Sequence, residues 1–148
     1  MSLENVVMAK LKEAMKAKDQ TALAALRAIK SALLIEKTKS AAQNLTPADE
    51  MRILQKLVKQ RKESAEIYKS QNRDDLAETE IAQAKVIEQF LPAQLSMEEI
   101  GQIVNEIIAQ TGAQTMKDMG KVMAIATKKL AGRADSKTIS QLVKEKLS

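Results

Sequence analysis

Apolar residues recur along this chain every three or four positions and never in sustained alternation, so its elements are predicted to be helices. Leu3, Val7, Leu11, Ala14 and Met15 set a first stripe that ends near Asp19. Asp19 is placed to cap a second helix, whose inward line runs Leu23, Leu26, Ile29 and Leu33 to about Lys39. A short loop with Asn44 follows. Thr46-Pro47-Ala48-Asp49 combines an N-cap, a proline at the first helical position and an acid in the first turn, and so starts a third helix. Its seam is Leu54, Val58, Arg61, Ala65 and Tyr68, which puts an arginine on an otherwise apolar line. A break near Asn72-Arg73 separates it from a fourth helix with Ile81, Ala84, Ile87 and Leu91 inward, ended by Pro92.

The second part of the chain repeats this grammar in shorter pieces. Ser96 with Glu99 forms a capping box ahead of Ile100, Val104, Ile107 and Ile108, and Gly112 is placed as a left-handed terminator. Thr115-Met116-Lys117-Asp118 opens a sixth helix carrying Met119, Val122, Met123, Ala126 and Leu130, which Gly132 stops. Asp135 caps the seventh, with Ile139, Leu142, Val143 and Leu147 inward. All four glycines, Gly101, Gly112, Gly120 and Gly132, lie in the last third. Glycine-free sequence favours long helices, because an interior glycine costs about 1 kcal/mol relative to alanine. The reading is therefore all-α with two helical domains: a four-helix part over residues 1–92 and a three-helix bundle over 93–148.

With only Tyr68 and Phe90 aromatic, the cores are built from aliphatic residues and methionine. The absence of histidine and cysteine removes thiol and imidazole catalysis and Cys/His metal sites. No metal or other cofactor is expected. A net charge of +5 favours polyanionic partners. No stretch approaches the roughly 18 apolar residues of a membrane span, and the Lys-rich first helix carries Glu4 and Glu13 with no aromatic anchor. A cytoplasmic protein without membrane partners is expected.

Two groups of cations stand out. Lys56, Lys59 and Lys62, with Arg52 a turn earlier, form a row on the third helix able to follow a phosphate backbone; the competing reading is a solvated face balanced by Glu63 and Glu66. Arg61 is predicted partly buried and structural, paired with Glu80, Asp74 or Asp75. In the last third, Lys128, Lys129 and Lys137 lie beside Arg133 of the tight turn Gly132-Arg133-Ala134-Asp135, in which Gly132 and Asp135 serve as helix stop and helix start, and Lys121 lies earlier in the sixth helix next to Gly120. Gly120 reads as structural, admitting a close neighbouring helix, or as a surface against which RNA backbone lies beside Lys121. The adjacent acid pairs are explained by helix starts, where negative charge is favoured. Scarce aromatics argue against stacking a run of single-stranded bases and leave shape and phosphate recognition of folded RNA.

Asp118-Met119-Gly120-Lys121-Val122-Met123, then Gly132-Arg133-Ala134-Asp135 and Leu142-Val143-Lys144, resemble the closing motif of the GatB/YqeY family. Lys59-Gln60-Arg61-Lys62-Glu63-Ser64, Arg73 to Glu78 and Phe90 to Ser96 extend that resemblance over nearly the whole chain. Glycine is common in the family where this chain has Asn72, Ala124 and Ser136. The resemblance implies a non-catalytic helical module that contacts tRNA. Its partners would be tRNA and a tRNA amidotransferase or an aminoacyl-tRNA synthetase. A protein–protein adaptor is the alternative, and a component of a carbon–nitrogen ligase using glutamine as amido donor is another. Catalysis by the chain alone is not expected, since it has no cysteine, no amidase Ser-Ser-Lys arrangement and no nucleotide motif for activating a carboxyl.

Overall fold

The computed structural model describes residues 2–39 and 44–148 and is all-α, with no strand among those residues. Its helices are α1 (Leu3–Ala17), α2 (Gln20–Lys39), α3 (Pro47–Ser70), α4 (Asp74–Glu88), α5 (Met97–Thr111), α6 (Met119–Lys129) and α7 (Ser136–Leu147), with a 3-10 turn at Met116–Asp118 before α6. Most of the loop expected between α2 and α3 lies outside the described residues. The chain forms two compact units, Met1–Leu91 and Pro92–Ser148.

The helix starts follow from local hydrogen bonding. Backbone N–H groups in a first turn have no partner within the helix, and a side-chain oxygen just before it supplies one. The hydroxyls of Ser2 and Ser96 accept from the amides of Asn5 and Glu99, and the Asp19 carboxylate accepts from Ala22. At α3 the exchange is reciprocal: Thr46 accepts from the Asp49 amide, and Asp49 accepts from that of Thr46. Hydrogen bonds to its carboxylate from Thr46, the backbone amide first and the side-chain hydroxyl second, hold Asp49 below its usual range.

The ends are less uniform. Gly112 terminates α5 in the left-handed region at φ 70°. Lys18 closes α1 at φ 55° and Asn72 bridges α3 and α4 at φ 59°, both without a glycine. Asparagine tolerates this conformation better than most residues, which suits Asn72 to the join between the two helices. The fourth helix stops at Glu88, short of the expected Leu91; Phe90 and Leu91 continue in tight turns, donating to the carbonyls of Ile87 and Glu88.

The N-terminal unit is organised around Val7, Leu26, Ile29, Leu54 and Ile87. Here α4 packs on α2 and α3, while α1 lies on α2. In the C-terminal unit, Val104, Ile107, Val122, Leu130, Ile139 and Val143 form a second core, with Met119 and Met123 filling its edge. No helix among the described residues is long and apolar enough to cross a membrane.

Candidate nucleic-acid interface

The α6–α7 turn begins where α6 ends at Lys129. The Leu130 side chain is fully buried, and its carbonyl accepts from the amide of Arg133 at 2.9 Å. Gly132 adopts φ 76°, a region that would strain a side chain, and so reverses the chain there. Asp135 then accepts from the Lys137 amide and starts α7.

The carbonyls left by this reversal are taken up by the segment leading into α5. The Gln94 side-chain amide donates to the carbonyl of Gly132 at 2.7 Å and to that of Pro92 at 3.1 Å. The Leu95 backbone amide donates to the carbonyl of Arg133 at 3.0 Å. Residues 94–95 thus clamp the turn from which Arg133 projects. Sequence reading missed this contact because these residues precede a helix, outside any periodic pattern, and their partners lie far away in the chain.

The structure brings the cations together along α6 and around this turn. Lys121 and Lys128 are seven residues apart, so they lie on nearly one face of α6, about 10 Å apart along its axis. Lys128 and Lys129 occupy its last turn and Lys137 the first turn of α7. These residues and Arg133 are all exposed, and none forms an ion pair among the described residues. Lys121 is near enough to Asp118 to help keep that carboxyl below its usual range, after the larger effect of hydrogen bonds from the Gln114 and Thr115 amides. The surface is not uniformly basic: Glu98 and Glu99 open α5 only a few residues beyond the clamp.

Gly120 departs from its structural reading. It is exposed in the first turn of α6, and a Cβ built on it would meet nothing within 4 Å. No neighbouring helix uses the missing side chain, so the glycine leaves an open patch beside Lys121.

In the N-terminal unit the row on α3 is partly neutralised, though not by Glu63 or Glu66. Lys62 pairs with Glu88 of α4 at 3.0 Å, and Arg52 pairs with Asp49 at 2.8 Å and more loosely with Glu36 at 3.9 Å. Lys56 and Lys59 are exposed without ion pairs among the described residues. Arg61 is half-buried as expected, but its partners are neutral. Its Nε donates to the Gln83 side-chain oxygen at 3.2 Å, and one terminal nitrogen donates to the Leu57 carbonyl at 3.2 Å. The expected ion pair with Glu80, Asp74 or Asp75 does not form. Asp75 instead takes Arg73, which lowers its carboxyl pKa and raises that of the guanidinium.

A family profile described as Yqey-like protein matches residues 4–147. The protein named "Altered inheritance of mitochondria protein 41, mitochondrial" from Pyrenophora tritici-repentis is 31% identical, over 96% of this chain and 81% of its own length. "Uncharacterized protein C22F3.15" from Schizosaccharomyces pombe is 33% identical, over 64% of this chain and 76% of its own. A protein from Meyerozyma guilliermondii with the same name as the first is 41% identical, over 43% of this chain and 37% of its own.

Proposed function

The chain belongs to the YqeY-like family, and on that footing we propose that it is a tRNA-binding accessory module, without catalysis of its own, that contacts RNA through α6 and the α6–α7 turn. The resemblance to the tail of the amidotransferase subunit GatB supports this reading. The observation that carries it is the placement of cations in the C-terminal unit. Lys128 and Lys129 are where a helix favours positive charge, but Lys121 and Lys137 are in first turns, where the helix dipole disfavours it. Neither first turn contains an acid beyond the capping aspartates Asp118 and Asp135, whereas those of α3, α4 and α5 do. An external anion accounts for cations that helix formation does not want.

Recognition would be by shape and phosphate, with Lys121 and Lys128 following a backbone that passes over Gly120 and Arg133 and Lys137 holding its continuation. Lys56, Lys59 and Lys62 contribute less, since Lys62 is already paired. The proposed setting is cytoplasmic, while the names of two relatives refer to mitochondria.

Labelled bulk tRNA titrated across a salt series, with Lys121→Glu and Arg133→Glu alongside, tests the proposal. Binding that weakens with salt, drops sharply in both variants and is competed better by tRNA than by duplex DNA supports it. Absence of binding at low salt overturns it. The adaptor reading then gains ground, favoured by the exposed Leu34, Ile35 and Ile67 of the N-terminal unit.

A further inference from the structure

Two helix faces of the N-terminal unit expose large aliphatic side chains that its core does not use. On α2, Leu34 and Ile35 are 61% and 53% exposed, with Lys30 one turn before Leu34 and Arg27 almost a turn before that. On α3, Ile67 is 57% exposed, with Glu63 one turn before it and Glu66 beside it. A single exposed aliphatic residue is ordinary. Here each group is set in charge of one sign, and the two signs are opposite. The α2 helix carries four bases and one acid, whereas from Glu63 to Glu80, across the join of α3 to α4, acids outnumber bases six to two.

The fold explains only part of this charge. Lys37 and Lys39 are in the last turn of α2, and Asp74 and Asp75 in the first turn of α4, where the helix dipole favours them. Arg27 and Lys30 lie in the middle of α2, and Glu63 and Glu66 in the C-terminal half of α3, where the helix gains nothing from an acid. All four are exposed, and none forms an ion pair among the described residues. A basic aliphatic face and an acidic aliphatic face on one chain are complementary to each other.

We propose that a second copy of this chain covers these faces, with α2 of one copy lying on the distal half of α3 of the other. Antiparallel placement of Leu34 and Ile35 against Ile67 carries Arg27 and Lys30 past the end of α3 to the acid-rich join with α4, at about 1.5 Å per residue along each helix. Parallel placement brings Arg27 beside Lys59 instead, and like charges oppose it. The aliphatic side chains supply the area, and the charges set the direction. Made twice about a two-fold axis the contact closes a dimer, and made once per copy it propagates. Its size puts it among weak, transient interfaces. It does not depend on RNA contact at the α6–α7 turn.

Sedimentation velocity of the full chain, freed of RNA by nuclease and a high-salt wash, tests it over roughly 10 μM to 1 mM protein. The sedimentation coefficient should rise with concentration, and less so at high salt. Glu63→Lys with Glu66→Lys should weaken association at least about fivefold, and so should Arg27→Glu with Lys30→Glu. All four positions are exposed, so both double variants should fold, which circular dichroism checks. Mixed in equal amounts, the two should associate again, because each altered face then meets its opposite. Ile67→Ser should weaken association several-fold with the charges intact. A monomer at every concentration overturns the proposal and leaves these faces to a different protein. So does association that is unchanged in both double variants, or a mixture that associates no better than either variant alone.

Discussion

Replacing Gln94 with alanine separates the positioning of the cationic turn from its charge. The side chain makes two hydrogen bonds, and the one to Gly132 leaves a buried residue's carbonyl without that donor when removed. An unsatisfied buried polar group costs about 1–3 kcal/mol, and because Gln94 is exposed, water can partly replace it, which puts the expected loss near 1–1.5 kcal/mol. The unit Pro92–Ser148 has a total stability of roughly 3–8 kcal/mol at ordinary values per residue, so the loss is a sizeable share. Thermal unfolding followed by circular dichroism should show this unit melting about 4–10 °C lower. In tRNA titrations Gln94→Ala should weaken binding yet keep the slope of log K against log salt, since no phosphate contact is removed. Arg133→Glu should lower the magnitude of that slope by about 1 or more. An unchanged melting temperature would refute the clamp, and a fall in slope matching that of Arg133→Glu would mean that Gln94 itself touches the backbone.

Three further outcomes follow from the geometry. Leu130→Ala, at a fully buried core position, should cost about 2–5 kcal/mol; hydrogen exchange should then show α5, α6 and α7 losing protection while α2, α3 and α4 keep theirs. Lys18→Gly relieves a left-handed residue at φ 55° and should stabilise the N-terminal unit by up to about 1 kcal/mol in urea unfolding, with no change expected for the other unit. The carboxyls of Asp49, Asp75 and Asp118 are all held below 3.8 in the fold, so their contribution is complete above that value and disappears as pH falls through the lowered folded pKa values. Urea midpoints should be flat in this respect above about pH 5 and decline below about pH 4. A midpoint that rises on acidification would contradict those shifts.

What could be read from the residues and what could not divides along the range of the interactions. Thr46, Ser96 and Asp135 marked their helix starts because each cap bonds to an amide two or three residues away. Gly112 and Gly132 marked reversals because glycine alone takes left-handed angles without strain. Lys18 carried no such mark, since its angle is imposed by the join of α1 to α2. For Arg61, the seam spacing gave the degree of burial but not the partners: Gln83 comes from the register of α4 against α3, and the Leu57 carbonyl is one turn away in its own helix. Gly120 shows the opposite error. A glycine inside a helical pattern suggested close packing, but its position in the first turn of α6 leaves it open to solvent. The clamp at residues 94–95 depends wholly on tertiary placement and left no local sign.

Lys137 offers the sharpest test of whether the cations of the C-terminal unit serve the fold or a ligand. It is the second residue of α7, where exposed amides and the helix dipole make positive charge unfavourable, and the Asp135 cap only partly offsets this. Lys137→Glu should therefore raise stability, by about 0.3–1 kcal/mol, because an acid in the first turn is favoured. The same change reverses a charge beside Arg133 and should weaken tRNA binding several-fold at low salt, with the difference shrinking as salt rises. Stability and binding thus move in opposite directions, which simple damage to the fold cannot produce. A variant that is both less stable and weaker in binding would place Lys137 in the structure of the turn. One that is more stable and binds tRNA as tightly as the unaltered chain would remove it from the interface, leaving Lys121 and Arg133 to account for any affinity.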